Sequence, residues 1–298
     1  MKKFASQEIK EFVSKPFFNE KIILKKDPSY PKISIVTPSY NQAQFIERTI
    51  LSILNQNYPN LEYIIIDGGS TDGSVEIIRK YEKYLAYWIS EKDKGQSYAI
   101  NKGFKMATGE LIGWQNSDDI YLPETFRYVA ELVKKKNYEL IFGDIVIIDE
   151  EDRPIRTLRY GPWPRFMLKN SGMSFANQAT FWARGLQQKS GPLREDLHYA
   201  FDGEFFYRLV ISTKKIKHLP EVMACFRVQP TAKAKDIENY SKEFEIVKAV
   251  HKFKRGNVFL KLADKLMRSV YCLLKGNILY LVSPVKDAEK IFSFGRNR

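Results

Sequence analysis

Three apolar β-strand patterns, each followed by a polar loop, dominate the first half of the sequence. They cover Lys32–Thr37, Leu61–Ile66 and Glu110–Trp114. None shows the polar alternation of a half-exposed strand, which is typical of a mostly parallel sheet covered by helices on both faces. In such sheets ligands bind beyond the carboxyl ends of the strands. The sequence therefore predicts an α/β fold whose site lies in the loops after these strands.

Helical patterns separate these strands and continue after them. Apolar residues at helical spacing predict helices over Ala43–Asn55, Val75–Tyr84 and Gln96–Met106. Pro123 suits the first position of a further helix that runs to Lys136. In the second half, a hairpin is predicted over Leu140–Ile148 and Ile155–Leu158. Further strands are predicted over Phe175–Trp182 and Val222–Val228, a helix over Phe201–Ser212, and helical structure from Ile237 onward.

Positive charge is concentrated at the two ends of the chain. The 48 Lys and Arg against 35 Asp and Glu give a formal net charge of +13, which favours an anionic partner. Residues 251–298 carry +8 and residues 1–30 carry +3, so the residues between them hold only +2. Because nucleic-acid binding usually uses a basic body, we expect no nucleic-acid partner.

The differences in charge and in strand and helix pattern along the chain predict three regions. They are an N-terminal extension over 1–30, the main α/β domain over 31–230 and a basic helical C-terminal extension over 231–298. Charged residues interrupt the start of the chain, so it is not a signal peptide. No run reaches the ~18 consecutive apolar residues of a transmembrane helix. Two cysteines are too few for a disulfide framework, which favours the reducing cytoplasm.

The C-terminal extension contains a basic amphipathic pattern. Phe259, Leu262, Leu266 and Val270 recur at helical spacing, with Lys265 on another face. Such a helix is typical of binding to an anionic membrane surface, here the inner face of the plasma membrane. The alternative is a helix packed on the main domain with a solvated charged face.

Two loops carry the chemistry. Asp67–Ser74 offers an acid and small residues that let a ligand approach the backbone; alternatively, it is a plain loop in which Ser74 caps the next helix. Asn116–Asp119 groups hard oxygen ligands that suit Mg²⁺ or Mn²⁺ bound together with a diphosphate; alternatively, it forms an Asx turn. No dinucleotide-binding or P-loop glycine fingerprint is present.

The order of the loops resembles that of one known family. Thr37-Pro-Ser-Tyr-Asn41, Asp67-Gly-Gly-Ser-Thr-Asp-Gly73, Asp93-Lys-Gly-Gln96 and Asn116-Ser-Asp-Asp119 occur in the sequence and spacing of family 2 glycosyltransferases. The resemblance covers Lys32 to Arg227. It implies the GT-A fold, a nucleotide-sugar donor, a divalent metal (Mn²⁺ or Mg²⁺) on the diphosphate and inversion at the anomeric carbon.

The same resemblance assigns residue roles. Asp118 is the expected main metal ligand with Asp119 beside it, and Asn116 stands where many members have Asp. The expected donor-binding residues are Thr37, Pro38, Tyr40, Asp67, Asp72, Lys94, Gln96, Asn116, Ser117 and Asp118.

In the second half, Asp202 takes the position of the family's catalytic base, while Phe201 replaces the usual Glu. Glu204 is the rival base, and a plain helix-capping role for Asp202 stays open. Asn177 and Gln178 match the segment that faces the acceptor, expected to be a glycan or a lipid-linked sugar. The motif of processive synthases is absent, which favours transfer of one sugar per encounter. A catalytically inactive sugar- or membrane-binding relative and a sugar nucleotidyltransferase remain alternatives.

Overall fold

The computed structural model describes residues 22, 27–162, 164–165, 175–229, 237–251 and 258–274. Most of the N-terminal extension and the end of the C-terminal extension lie outside these residues. The strands are β1 (Ile33–Ser39), β2 (Leu61–Asp67), β3 (Tyr87–Ser90), β4 (Leu111–Trp114), β5 (Ile120–Tyr121), β6 (Leu140–Ile148), β7 (Pro154–Leu158), β8 (Thr180–Ala183) and β9 (Ile216–Arg227). The helices are α1 (Ile46–Leu54), α2 (Ser74–Lys80), α3 (Gln96–Met106), α4 (Thr125–Lys136), α5 (Arg184–Ser190), α6 (Phe201–Ser212), α7 (Ile237–Val250) and α8 (Val258–Leu274).

The described strands form one nine-stranded mixed sheet in the order β3-β2-β1-β4-β8-β6-β9-β5, with β7 paired to β6. The first four strands in this order are parallel, as expected. The second half adds antiparallel pairs, and β6 with β7 forms the predicted hairpin. In the register of β1 with β2, Ser39 lies beside Asp67, so the loops after these two strands begin at one edge of the sheet.

Helices cover both faces of the sheet, as the continuous apolar strands predicted. Ile35 packs in one core cluster with residues of α1 and α4, and its neighbour Val36 packs in a second cluster with residues of α3 and α6. Successive strand residues point to opposite faces, so each strand needs apolar residues at both odd and even positions. Both Ile35 and Val36 are fully buried.

Three predicted elements differ in the structure. The helix expected from Pro123 begins at Thr125, because the N–H of Leu122 still donates to the carbonyl of Met223 and keeps this segment on the sheet. The first part of the strand expected over Phe175–Trp182 is a 3₁₀ turn at Asn177–Ala179.

The strand expected over Val222–Val228 is longer than predicted and begins at Ile216. It contains Pro220, which has no N–H to donate. The pairing of β9 with β6 shifts register between Gly143 and Asp144, opposite this proline. The bulge therefore lets one strand continue through a residue that the sequence pattern treats as a break.

The two C-terminal helices contact the main domain. Val247 of α7 is buried in the second core cluster. On α8, the Tyr271 hydroxyl lies 3.2 Å from Nδ1 of His218 in β9. Much of the apolar surface of α8 is nevertheless exposed, at Val258, Phe259, Leu262, Leu266, Val270 and Leu274. Within the part of the chain that the structure describes, no helix is long and apolar enough to cross a membrane.

Candidate active site

The loops after β1 and β2 are joined by hydrogen bonds. The backbone N–H of Asn41 donates to Oγ of Ser70, and the N–H of Thr71 donates back to Oδ1 of Asn41. The N–H of Ala43 donates to Oδ2 of Asp72 at 2.9 Å. Parallel strands thus bring the predicted motifs together, and side chains hold the loops in place.

Asp67 and Asp72 organise these loops from within. The Asp67 carboxylate is fully buried and accepts hydrogen bonds from the Ser70 N–H, the Ser70 hydroxyl and the Ser90 hydroxyl. Asp72 accepts from the N–H and hydroxyl of Ser74, at 3.0 and 2.6 Å. Helix α2 begins at Ser74, so the capping side chain belongs to Asp72 and the Ser74 alternative is not realised.

The other expected donor-side residues lie around this edge. Thr37 and Pro38 are buried, and Oγ1 of Thr37 lies 3.2 Å from the hydroxyl of Tyr63. Tyr40 is 62% exposed directly after β1, and Lys94 is exposed in the loop before α3. An exposed ring and an exposed cation at the carboxyl edge are available to a planar base and an anion, respectively.

Asn116 is the centre of a side-chain network. Its Oδ1 accepts hydrogen bonds from Nε1 of Trp114 at 2.9 Å and from Nε2 of Gln96 at 3.0 Å. Its Nδ2 donates to Oδ2 of Asp119 at 3.1 Å. Because the indole N–H only donates, it determines which end of the amide faces Asp119. The side chain bonds to other side chains, so the Asx-turn alternative does not describe it.

The two adjacent aspartates differ in their surroundings. Asp119 is fully buried and accepts from Nε2 of Gln178 at 2.7 Å, from Asn116 and from the N–H of Arg227 at 2.9 Å. Burial and the neighbouring charge of Asp118 raise the pKa of Asp119 well above its ordinary value. Asp118 is partly exposed, and burial raises its pKa as well.

One oxygen of the Asp118 carboxylate is available at this edge. Its Oδ2 accepts from Nε2 of Gln229 at 2.6 Å, whereas Oδ1 accepts no hydrogen bond from the described residues. Ser117 beside it is buried. Among the described residues there is no group of three or more His, Cys, Asp or Glu side chains that could hold a metal alone. One carboxylate fits Mg²⁺ or Mn²⁺ whose other ligands are substrate phosphates and water.

Arg227 and Gln229, which the sequence interpretation left out, hold this pair of aspartates. Arg227 is 1% exposed, and its Nε donates to the carbonyl oxygen of Asp118 at 2.8 Å. Its guanidinium also binds Asp152, at 2.5 Å. These contacts join residues about a hundred positions apart, so no local pattern could have indicated them.

The two residues expected to face the acceptor lie behind the aspartates. Gln178 is 3% exposed and its amide is committed to Asp119. Asn177 is also buried, and its Nδ2 has no hydrogen-bond partner in the described part of the chain. Their acceptor role stays a prediction; the geometry makes Gln178 a support for Asp119.

Helix α6 carries Asp202 and packs, through its first residue, against the side-chain network around Asn116. Phe201 stacks on Trp114, with ring centroids 5.7 Å apart and planes 21° from parallel. Asp202 follows as the second residue of the helix, while Ala200 occupies the N-cap. Burial raises the pKa of Asp202 to about 6, against the opposing hydrogen bond from the Gly203 N–H.

Glu204, the rival base, is fully engaged. Its carboxylate accepts from Nε of Arg208 at 2.8 Å and contacts Nε2 of His251 at 2.9 Å, and it is 2% exposed. Oε2 also accepts from Arg208, so both carboxylate oxygens are occupied and neither is available to an acceptor hydroxyl. The geometry therefore favours Asp202.

Comparisons with known proteins identify the class to which this fold and site belong. The family model "Glycosyl transferase family 2" matches residues 34–190. The chain belongs to this family. Its sheet and flanking helices are those of the GT-A glycosyltransferase fold.

Individual relatives agree with this assignment. TuaG of Bacillus subtilis strain 168, a glycosyltransferase whose name assigns it to teichuronic acid biosynthesis, is 30% identical over 137 residues, which are 44% of this chain and 54% of TuaG. The match covers only part of the length of these curated relatives: 54% of TuaG and 39% of a second glycosyltransferase.

Two solved structures share the fold. TarS 1–349 of S. aureus in complex with UDP-GlcNAc has a TM-score of 0.57 and 16% identity, covering 73% of this chain and 66% of that one. The mannosyltransferase PcManGT from Pyrobaculum calidifontis, in complex with GDP-Man and Mn²⁺, has a TM-score of 0.58 and 18% identity, covering 96% and 90%.

Proposed function

We propose that the protein is an inverting, metal-dependent glycosyltransferase. It moves one sugar from a nucleoside-diphosphate sugar to a hydroxyl of a glycan or lipid-linked acceptor. The observation that carries the proposal is the presence of two unlike carboxyl groups: Asp118, with a free oxygen at the loop edge, and Asp202, partly buried at the start of α6. Phe201, the residue before Asp202, stacks on Trp114, the last residue of the strand that leads into the Asp118 loop. The complexes of TarS with UDP-GlcNAc and of PcManGT with GDP-Man support the donor class. The name of TuaG supports a role in surface polysaccharide synthesis.

The chemistry follows from the two carboxyl groups. Asp202 takes the proton of the acceptor hydroxyl as that oxygen attacks the anomeric carbon. The bond from that carbon to the diphosphate oxygen breaks on the opposite face, which inverts the configuration and releases the nucleoside diphosphate. A base whose pKa is raised to about 6 is ionised at neutral pH and still binds a proton well.

On the donor side, the chain binds and orients the nucleotide sugar. Tyr40 offers a ring for the base, and Lys94 and Gln96 lie at the start of α3 for contacts to the phosphates or the sugar. Asp118 would hold the divalent metal through Oδ1, and the metal when bound supplies positive charge to the departing diphosphate. Gln229 holds the other carboxylate oxygen of Asp118, and Arg227 holds its backbone carbonyl oxygen.

The two departures from the family pattern do not remove a group that this chemistry needs. Phe201 replaces an acid but packs on Trp114, and Asn116 replaces an acid but bridges three side chains. They therefore favour an active enzyme over an inactive relative. A sugar nucleotidyltransferase would release pyrophosphate instead of a nucleoside diphosphate, which a product assay distinguishes.

We also propose that α8 binds the protein peripherally to an anionic membrane, near a lipid-linked acceptor. Its exposed apolar residues include Phe259, Leu262 and Leu266, and Lys265 is exposed on the same helix. Insertion of the apolar face into the lipid interface and attraction of the basic segment to acidic headgroups act together.

The direct test is turnover. The purified chain is incubated with UDP-, GDP- and dTDP-sugars, Mn²⁺ or Mg²⁺ and candidate acceptors, and nucleoside diphosphate release and product configuration are measured. We expect metal-dependent transfer with inversion by the wild type. We expect a loss of about 10²–10⁴-fold in kcat for Asp202→Asn, and none for Asp196→Asn, which changes an exposed surface carboxylate. Equal turnover by Asp202→Asn, or transfer with retention, contradicts the proposal.

A further inference from the structure

One carboxylate of helix α7 binds the segment just before α6. Oε1 of Glu243 accepts from the N–H of His198 at 2.8 Å. Its Oε2 accepts from the N–H groups of Tyr199 and Ala200 at 2.7 and 2.9 Å. Three consecutive backbone donors, just before α6, thus converge on one side chain 43 to 45 residues further along the chain.

This contact holds the segment that leads into α6. The three N–H groups belong to residues before the first helical residue, and Ala200 at the N-cap has no side-chain oxygen of its own. A carboxylate there satisfies backbone donors and interacts favourably with the helix dipole. Burial opposes ionisation of Glu243, but the three N–H donors outweigh it and lower its pKa. The carboxylate is therefore charged at neutral pH, which strengthens its hydrogen bonds.

The same helix contacts α6 at further points. His251, next to the end of α7, contacts Glu204, and Val247 lies in the core cluster that contains Phe205. Tyr240 of α7 packs against the same cluster; burial and, after it, the charge of Asp202 raise its pKa to about 12. Helix α7 therefore holds the first turn of α6 from Ala200 to Glu204.

We infer that Glu243 is a positioning residue that holds Asp202 in its working place from outside the segment matched by the family model. The inference rests on the proposed role of Asp202 as the base. The three N–H groups lie two to four residues before Asp202, so release of this segment shifts the Asp202 carboxylate. The donor-binding loops after β1 and β2 have no hydrogen bond to Glu243, so donor binding is independent of it.

The test compares Glu243→Ala and Glu243→Gln with Glu245→Ala, a control on the same helix whose side chain is exposed and paired with Lys248 on the surface. A misplacement of about 1 Å can cost about 10²-fold in rate. We therefore expect kcat to fall by about 10–100-fold in Glu243→Ala, with the affinity for the nucleotide sugar within about twofold of wild type. Glu243→Gln keeps one acceptor oxygen and falls less, and Glu245→Ala is unchanged.

Hydrogen exchange at residues 198–203 separates the possible outcomes. We expect faster exchange there in Glu243→Ala than in Glu245→Ala. If Glu243→Ala does not fold, Glu243→Gln carries the test through the same two measurements. The inference is overturned if Glu243→Ala has the wild-type kcat per folded molecule, or if Glu243→Gln does when Glu243→Ala does not fold. It is also overturned if the variant loses donor affinity by as large a factor as it loses kcat. An inactive wild-type protein instead refutes the proposed function, while the exchange result still tests the contact.

Discussion

Replacing Asn116 with Asp tests why this chain departs from its family there. The substitution removes the amide that donates to Asp119 and places a second carboxylate about 3.1 Å from it. Two charges at that distance repel by about 5 kcal/mol at an effective dielectric constant of about 20. Protonating one carboxyl group avoids this repulsion. It costs about 4 kcal/mol at pH 7 for a group with an ordinary pKa of about 3.9, and less for Asp119, whose pKa burial already raises. Protonation is therefore the cheaper route, and it limits the expected loss of stability to at most about 4 kcal/mol.

The sign of the pH dependence follows from the same argument. The new carboxyl group has a folded-state pKa above its unfolded value, so the folded form binds an extra proton. The loss of stability of Asn116→Asp relative to wild type therefore shrinks as the pH falls, by up to about 1.4 kcal/mol per unit, to at most about 1.5 kcal/mol at pH 5. Urea unfolding in the presence of EDTA, at pH 5 and pH 7, measures it.

Asn116→Ala is the matched control, because it removes the same donor without adding a charge. Its loss of stability is expected to be about 1–3 kcal/mol, so the gap between the two variants narrows as the pH falls. An Asn116→Asp protein as stable as wild type at pH 7, or a loss that grows at pH 5, refutes the network described around Asn116.

Three further predictions follow from the structure. Arg227→Leu removes the buried guanidinium that binds Asp152 and the carbonyl oxygens of Asp118 and Asp149, while Arg48 still pairs with Asp152. It is expected to lower the free energy of unfolding by about 1–3 kcal/mol; urea unfolding with a loss below about 1 kcal/mol contradicts this. The kcat/KM for transfer is expected to fall as the pH drops through about 6, because burial raises the pKa of Asp202 and the base must be ionised; a profile that is flat from pH 5 to pH 8 speaks against it. The double substitution Leu262→Asp and Leu266→Asp is expected to abolish sedimentation with phosphatidylglycerol-containing vesicles while turnover on a soluble acceptor persists; unchanged sedimentation argues against membrane binding by α8.

The parallel half of the sheet could be predicted because its strands are apolar at both parities. Ile35 and Val36 are adjacent and face different cores, a pattern that few structures other than a doubly covered sheet accommodate. The antiparallel half was harder. β5 has only two residues, and β9 runs through Pro220 by means of a bulge, so neither has a clear periodic signal.

The site was predictable where its residues follow a strand and unpredictable where they cross the fold. Asp118 follows β4 directly, and its place at the carboxyl edge could be inferred from order alone. The contacts of Gln178 and Arg227 with Asp119 join residues 59 and 108 positions apart. Glu243 is similar, since one of three Glu residues on a charged helix gives no signal until its three backbone partners are known.

The boundary expected at residue 230 remains a prediction, but α7 contacts the domain more closely than an appended helix would. Its Val247 is 1% exposed within the core, and its Glu243 holds the segment before α6. A truncation after residue 230 would therefore expose apolar core and release the region of Asp202. The charge pattern that suggested the boundary describes the surface of the chain, whereas packing determines where the domain ends.

Binding of a nucleoside diphosphate tests the central claim most directly, because it needs no acceptor. Calorimetric titrations with UDP and GDP are compared in Mn²⁺ and in EDTA, for wild type, for Asp118→Asn and for the surface control Asp196→Asn. We expect wild type and Asp196→Asn to bind one of the two nucleotides at least about tenfold more tightly in Mn²⁺, and Asp118→Asn to lose this gain. Binding by Asp118→Asn with the full wild-type metal dependence, or no binding of either nucleotide by wild type, would contradict it.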